Sequence, residues 1–125
     1  MTKRGRAPDK NMARILCVDD EPHVVNFRCQ VLNEQGHSAT PAWTVADAID
    51  RLKNSRYDVV ITGWRLCDGS GKAIVSAAKA LVPAPVVIVS GYIADGPNSP
   101  EQIADVYFDK VIEPDELPAI IRRVL

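Results

Sequence analysis

An α/β fold, with a parallel sheet covered on both faces, is the fold class this sequence predicts. Three observations predict it. Short apolar runs alternate with longer stretches patterned at helical spacing. The runs ILCV, DVVIT and PVVIVS are apolar almost throughout rather than alternating with polar residues, as strands buried on both faces should be. The segments between them are long enough to carry the helical crossovers that parallel strands need. At 125 residues and 13.7 kDa the chain can bury one core of this kind.

Residues 15–18 (ILCV) form the first expected strand. Pro22 suits a first helical position, and Val24, Phe27, Val31 and Leu32 recur as an apolar face until Gly36 stops the helix. Residues 37–41 form a weaker strand. Thr44 followed by Asp47 reads as a helix-start cap, with Val45, Ala48, Ile49 and Leu52 on the buried side. Residues 58–62 (DVVIT) are the next strand, and residues 70–81 an alanine-rich helix ended before Pro83. Residues 85–90 (PVVIVS) form a further strand. One glycine and two prolines in residues 95–100 leave room only for a short helix near 101–104. Residues 106–108 form the last strand. Pro114 opens a final helix that buries Leu117, Ile120, Ile121, Val124 and Leu125.

Composition narrows the function classes. A net charge of −1 gives no electrostatic case for nucleic acid or an anionic membrane as partner. No apolar run reaches membrane-spanning length, and the first dozen residues lack a secretory signal, so a cytoplasmic protein is expected. Cys17, Cys29 and Cys67 are widely spaced and form no CxxC pair, which favours reduced thiols over a disulfide or zinc site. Residues 1–12 carry Lys3, Arg4, Arg6 and Lys10 with little to bury, and are expected to be a flexible basic tail before a domain at 13–125.

In an open parallel sheet, chemistry gathers beyond the carboxyl ends of the strands. The positions to inspect are therefore Asp19, Asp20 and Glu21, then Gly63, then Ser90 and Gly91, then Lys110. The loop TGWRLCDGSGK at residues 62–72 is not a nucleotide loop. The first glycine of GxxxxGK[ST] would fall on Leu66, and Ala73 follows Lys72 where a hydroxyl should hold magnesium.

The segments ILCVDDEP, YDVVITGWRLCDGSG, VVIVSGY and YFDKVIEPDEL resemble, in order and spacing, the signature segments of a response regulator receiver domain. The resemblance covers residues 13–125. It implies a flavodoxin-like, doubly wound (βα)5 sandwich whose five parallel strands run in the order 2-1-3-4-5. It further implies two-component or phosphorelay signalling of the bacterial kind. Carried over residue by residue, Asp19 and Asp20 are the acidic, magnesium-binding pair. Ser90 is the pocket hydroxyl, Lys110 the pocket lysine and Tyr107 the switch aromatic. The phosphoacceptor position falls on Gly63, which has no side chain, so no catalytic residue is assigned. Val111 stands where the family has proline after the lysine, and a trans peptide is expected there, since a cis bond would cost about 3 kcal/mol.

No other nearby oxygen-bearing residue is expected to replace the missing one. Asp58 lies roughly 16 Å away along the same strand at about 3.3 Å per residue. Thr62 points to the opposite face, and Asp68 sits in the following loop. Each remaining residue has two readings. Asp19 and Asp20 hold weak magnesium, or instead pair with Lys110 and cap the helix at Pro22. Ser90 and Tyr107 form a partner-driven switch, or are packing remnants. Glu21 and His23 are metal-side residues or solvated helix-start residues, Cys67 a redox site or an ordinary thiol, and Trp64 a ligand contact or a cover over the pocket.

The expected function is a receiver-like, non-enzymatic signalling module, independent of phosphorylation and of any required cofactor. It acts by protein contact with a histidine kinase or a downstream regulator, or by homodimerisation. Because the chain ends at the last receiver helix, no output domain is expected after it. The alternative is a receptor for a small ligand or anion in the space vacated near Asp19, Asp20 and Lys110.

Overall fold

Val, Ile and Leu side chains on successive strand residues point to opposite faces, so a strand that is apolar throughout needs a helical layer on each side. The computed structural model, which describes residues 12–89, 105–108 and 116–125, has this arrangement. Strand β1 (Arg14–Val18) leads through helix α1 (Pro22–Glu34) to β2 (Ser38–Ala42), and α2 (Val45–Asn54) leads to β3 (Val59–Thr62). A two-residue-per-strand hairpin, β4 (Arg65–Leu66) and β5 (Gly69–Ser70), precedes α3 (Gly71–Leu81). Strands β6 (Val86–Val89) and β7 (Val106–Phe108) and helix α4 (Leu117–Val124) complete the described elements.

The main sheet is parallel, in the order β2-β1-β3-β6-β7. This is the expected 2-1-3-4-5 order, with the small antiparallel hairpin as an addition the sequence did not announce. The alternation is visible in β1. Ile15 and Cys17 join the layer of Val25, Leu32, Leu117 and Ile121, whereas Leu16 and Val18 join the layer of Ala48, Leu52, Ile74 and Ala78. Ile15, Leu16 and Ile61 are fully buried. Each such side chain contributes about 1.5–3 kcal/mol on leaving water.

Local signals set the helix ends. Thr44 Oγ1 accepts from Asp47 N–H at 3.0 Å, as expected. Ser70 Oγ accepts from Lys72 N–H at 3.3 Å. At the end of α1, Gly36 has φ 96°, its N–H reaches Asn33 C=O, and His37 N–H reaches Leu32 C=O, both at 3.1 Å. These are the paired bonds of a Schellman motif, which requires a left-handed residue at the Gly36 position. They also draw His37 into the helix end, so β2 begins at Ser38 rather than at residue 37.

One expectation about α1 is corrected. Its buried face is Val25, Arg28, Cys29 and Leu32, while Val24 and Phe27 are 38% and 53% exposed. The buried stripe is rotated by about one residue from the one its bulkiest apolar side chains suggest, because helical periodicity alone does not fix which face meets the sheet. Leu125 is likewise exposed, since it lies beyond the last turn of α4. Residues 1–11 of the tail at 1–12, the short helix near 101–104, Pro114, and Ser90, Gly91, Lys110 and Val111 lie outside the described residues.

Candidate functional site

Strands β1 and β3 are neighbours with Val18 opposite Thr62, so the residues that follow them meet at the carboxyl edge of the sheet. Gly63 N–H donates to Val18 C=O at 3.0 Å, and Asp19 N–H donates to Ala42 C=O at 3.2 Å. Sheet bonds therefore pin both backbones. A Cβ added at Gly63 would stand 3.4 Å from Asp19 Oδ2 and 3.9 Å from the Val89 carbonyl oxygen. That is ordinary contact distance, so a Cβ here would fit beside Asp19.

Asp19 is half-buried, and both its oxygens are engaged. Oδ1 accepts from Glu21 N–H at 3.0 Å. Oδ2 lies 3.5 Å from Arg28 Nη1, in a pair whose side chains are 18% and 11% exposed respectively. Burial pushes the Asp19 carboxyl above its ordinary range, against the lowering effects of the Glu21 N–H and the Arg28 guanidinium, with Asp20 adding to the rise. Asp20 is exposed. Glu21 is the residue before α1 and makes no side-chain cap, and His23 is exposed on the first turn.

Arg28 is the residue that the sequence reading missed. Only 9% exposed, it lies on the face of α1 turned to the sheet. Its signal was its spacing with Val25, Cys29 and Leu32, a stripe outweighed by the bulkier Val24 and Phe27.

The other oxygen-bearing residues near β3 are committed elsewhere. Asp68 receives Val45 N–H at 2.7 Å and Ala46 N–H at 3.0 Å, capping α2 from the far side of the β3–α3 connection. These N–H groups hold its carboxyl below the usual range. Asp58 accepts from Arg14 N–H at 2.8 Å, at the amino end of the sheet. Buried Thr62 donates its hydroxyl to Gly63 C=O at 2.8 Å. Trp64 packs half-buried against the α2–α3 side of the core, and Cys67 is an exposed thiol. Tyr107, opposite Ile88 in register, packs partly buried on the same core side. A cleft of about 290 Å³ lined by Lys79, Pro83, Ala84, Pro85 and Asp105 lies at the amino ends of β6 and β7, away from Asp19.

Among the described residues, the acidic pair gains no third carboxylate that would complete a divalent-cation site. Magnesium requires a nearly octahedral shell of oxygens. Among the described residues no group of three His, Cys, Asp or Glu side chains converges. Asp19 is already held by Glu21 N–H and Arg28, and Gly63 adds no oxygen from a side chain.

The sequence matches the family described as Response regulator receiver domain over residues 15–122. The chain belongs to this family. The receiver domain is 29% identical over 117 residues to the phosphate regulon transcriptional regulatory protein PhoB of Escherichia coli (strain K12), covering 90% of this chain and 51% of that protein. The transcriptional regulatory protein KdpE of Mycobacterium tuberculosis is also 29% identical, over 91% of this chain and 51% of its own. The chain thus spans about half the length of these curated relatives. In structure it is similar to the CheY-like receiver domain of Methanospirillum hungatei JF-1, with TM-score 0.79, 26% identity, and 90% and 92% of the two chains covered. It is also similar to the response regulator TrrA of Thermotoga maritima, solved in complex with Mg(2+)-BeF, with TM-score 0.77, 26% identity, and 90% and 98% covered. The fold is the flavodoxin-like, CheY-like one, and the family places the receiver in two-component signalling, where receivers contact kinases or downstream effectors. No helix among the described residues is long and apolar enough to cross a membrane.

Proposed function

We propose that this receiver domain signals without accepting a phosphoryl group, through protein contacts alone. The observation that carries this reading is Gly63. The position following β3 sits against Asp19 Oδ2, has room for a Cβ, and presents no side chain. Neither neighbour supplies a substitute nucleophile, because Asp68 is held by two N–H groups of α2 and Thr62 by the Gly63 carbonyl. An attacking oxygen must be aligned with its phosphoryl donor, and the Asp68 carboxylate and the Thr62 hydroxyl are both held in other bonds.

In this reading the module is not an enzyme, requires no cofactor and works in the cytoplasm. Asp19 and Asp20 act as structural carboxylates with residual magnesium affinity at most. Ser90, Tyr107 and Lys110 are the residues through which a bound partner, a kinase or a downstream regulator, would shift the conformation.

Incubation with acetyl phosphate and magnesium, followed by intact-mass measurement, tests the proposal. An unchanged mass is expected, and a stoichiometric, acid-labile phosphoryl adduct overturns it. The same samples screened by thermal shift with phosphate, nucleotides and organic acids address the small-ligand alternative, which a large and specific stabilisation would favour.

A further inference from the structure

Burying an arginine costs free energy unless its charge is matched, and an apolar side chain would fill the Arg28 position on α1 without that cost. The position is nonetheless occupied by a guanidinium, 9% exposed, whose described ionic partner is Asp19. The oxygen it faces is Oδ2, the same atom that a side chain at Gly63 would contact at 3.4 Å. The other oxygen of Asp19 is taken by the Glu21 N–H.

We propose that Arg28, the cation paired with Asp19 among the described residues, stands in charge and place where a divalent metal would have to bind Asp19. A metal entering the site must break the Arg28–Asp19 pair and leave a guanidinium buried without its counter-charge. Asp20, exposed and single, does not offset that loss. The absent side chain at Gly63 and the buried cation at Arg28 are then two halves of one arrangement. Restoring the carboxylate alone does not restore a metal site. The inference deepens the phosphorylation-independent reading, resting on its placement of Gly63 beside Asp19.

The test compares magnesium binding, by calorimetry and by the magnesium dependence of the melting temperature, in wild type, G63D, R28Q and G63D/R28Q. Glutamine keeps an N–H donor toward Asp19 while removing the charge. G63D is expected to bind no more than weakly, and G63D/R28Q at least tenfold more tightly. Equal affinity of G63D and G63D/R28Q overturns the proposal, as does a folded G63D/R28Q that binds no tighter than wild type. A second reading, independent of how R28Q folds, uses G63D with Arg28 intact. There the Arg28 side-chain NMR resonances either stay put with no magnesium bound, or are released as magnesium binds. Magnesium bound with Arg28 unmoved overturns the proposal. A phosphoryl adduct on wild type would instead overturn the functional reading and leave this ranking of affinities standing.

Discussion

Gly71, the first residue of α3, lies so close under Gly63 that a Cβ there would sit 2.6 Å from the Gly63 carbonyl oxygen. Its N–H donates to Trp64 C=O at 2.7 Å, so the backbone cannot retreat without losing that bond. The β4–β5 hairpin thus returns the chain onto the end of β3, and only glycine permits so close an approach.

The two glycines should therefore respond oppositely to the same substitution. Alanine normally gains up to about 1 kcal/mol over glycine inside a helix. At Gly71 the backbone clash should outweigh that gain, and G71A should lose about 1–3 kcal/mol. G63A meets only ordinary contacts and should stay within about 1 kcal/mol of wild type. Urea unfolding midpoints of the two variants check both figures, and equal midpoints would contradict the packing described here.

The Arg28–Asp19 pair should be costly to break by halves and cheap to remove whole. R28M leaves the Asp19 carboxylate half-buried without its cation and should lose about 3 kcal/mol. Adding D19N should recover most of that loss, because no uncompensated charge remains. A double-mutant cycle by chemical denaturation measures the coupling, and additive effects would show that the two side chains do not interact.

Stability should fall in two steps on acidification. Buried His37 has its imidazole value lowered from 6.5, first by burial and then by Arg122, and its Nδ1 has no hydrogen-bond partner. A lowered folded value means that the unfolded chain takes up the proton first, so this contribution is present above pH 6.5 and lost as pH falls below it. Asp68 has its value lowered from 3.8 by the Val45 and Ala46 N–H groups. Its contribution is present above that pH and lost below it. Asp19, raised from 3.8, works against this step, since its folded form is favoured by protonation. Melting temperatures between pH 3 and 8 should show H37F removing the upper step and D68N flattening the lower one.

The thiols should separate cleanly by access. Cys67 is exposed, whereas Cys17 and Cys29 are buried together between β1 and α1. Its hydrogen-bonding contact with Cys29, and then burial, push the Cys17 thiol up. A thiol reagent should modify Cys67 quickly and the other two only on unfolding. Fast loss of all three thiols would place α1 away from β1.

Much of the architecture was legible because its causes are local. Val59–Thr62 and Val86–Val89 announce strands buried on both sides by composition alone, and Thr44 with Asp47 announces a helix start within four residues. Asp19, Asp20 and Gly63 could be placed at strand ends by counting. The stripe on α1 was misread because helical periodicity gives a face but not its azimuth. Val24 and Phe27 form as good an apolar stripe as Val25, Cys29 and Leu32, and the sheet chose between them.

The sequence by itself therefore determined the order of the main-sheet strands and of the helices described between them, the parallel sheet and the absence of a side chain at Gly63. Tertiary structure alone decided that Arg28 reaches Asp19, that Asp68 caps a helix 22 and 23 residues before it, and that Gly71 closes against Gly63. The division follows from range. Backbone propensity and strand or helix periodicity act between near neighbours, whereas these contacts join segments whose proximity exists only after the sheet has formed and fixed the rotation of each helix upon it.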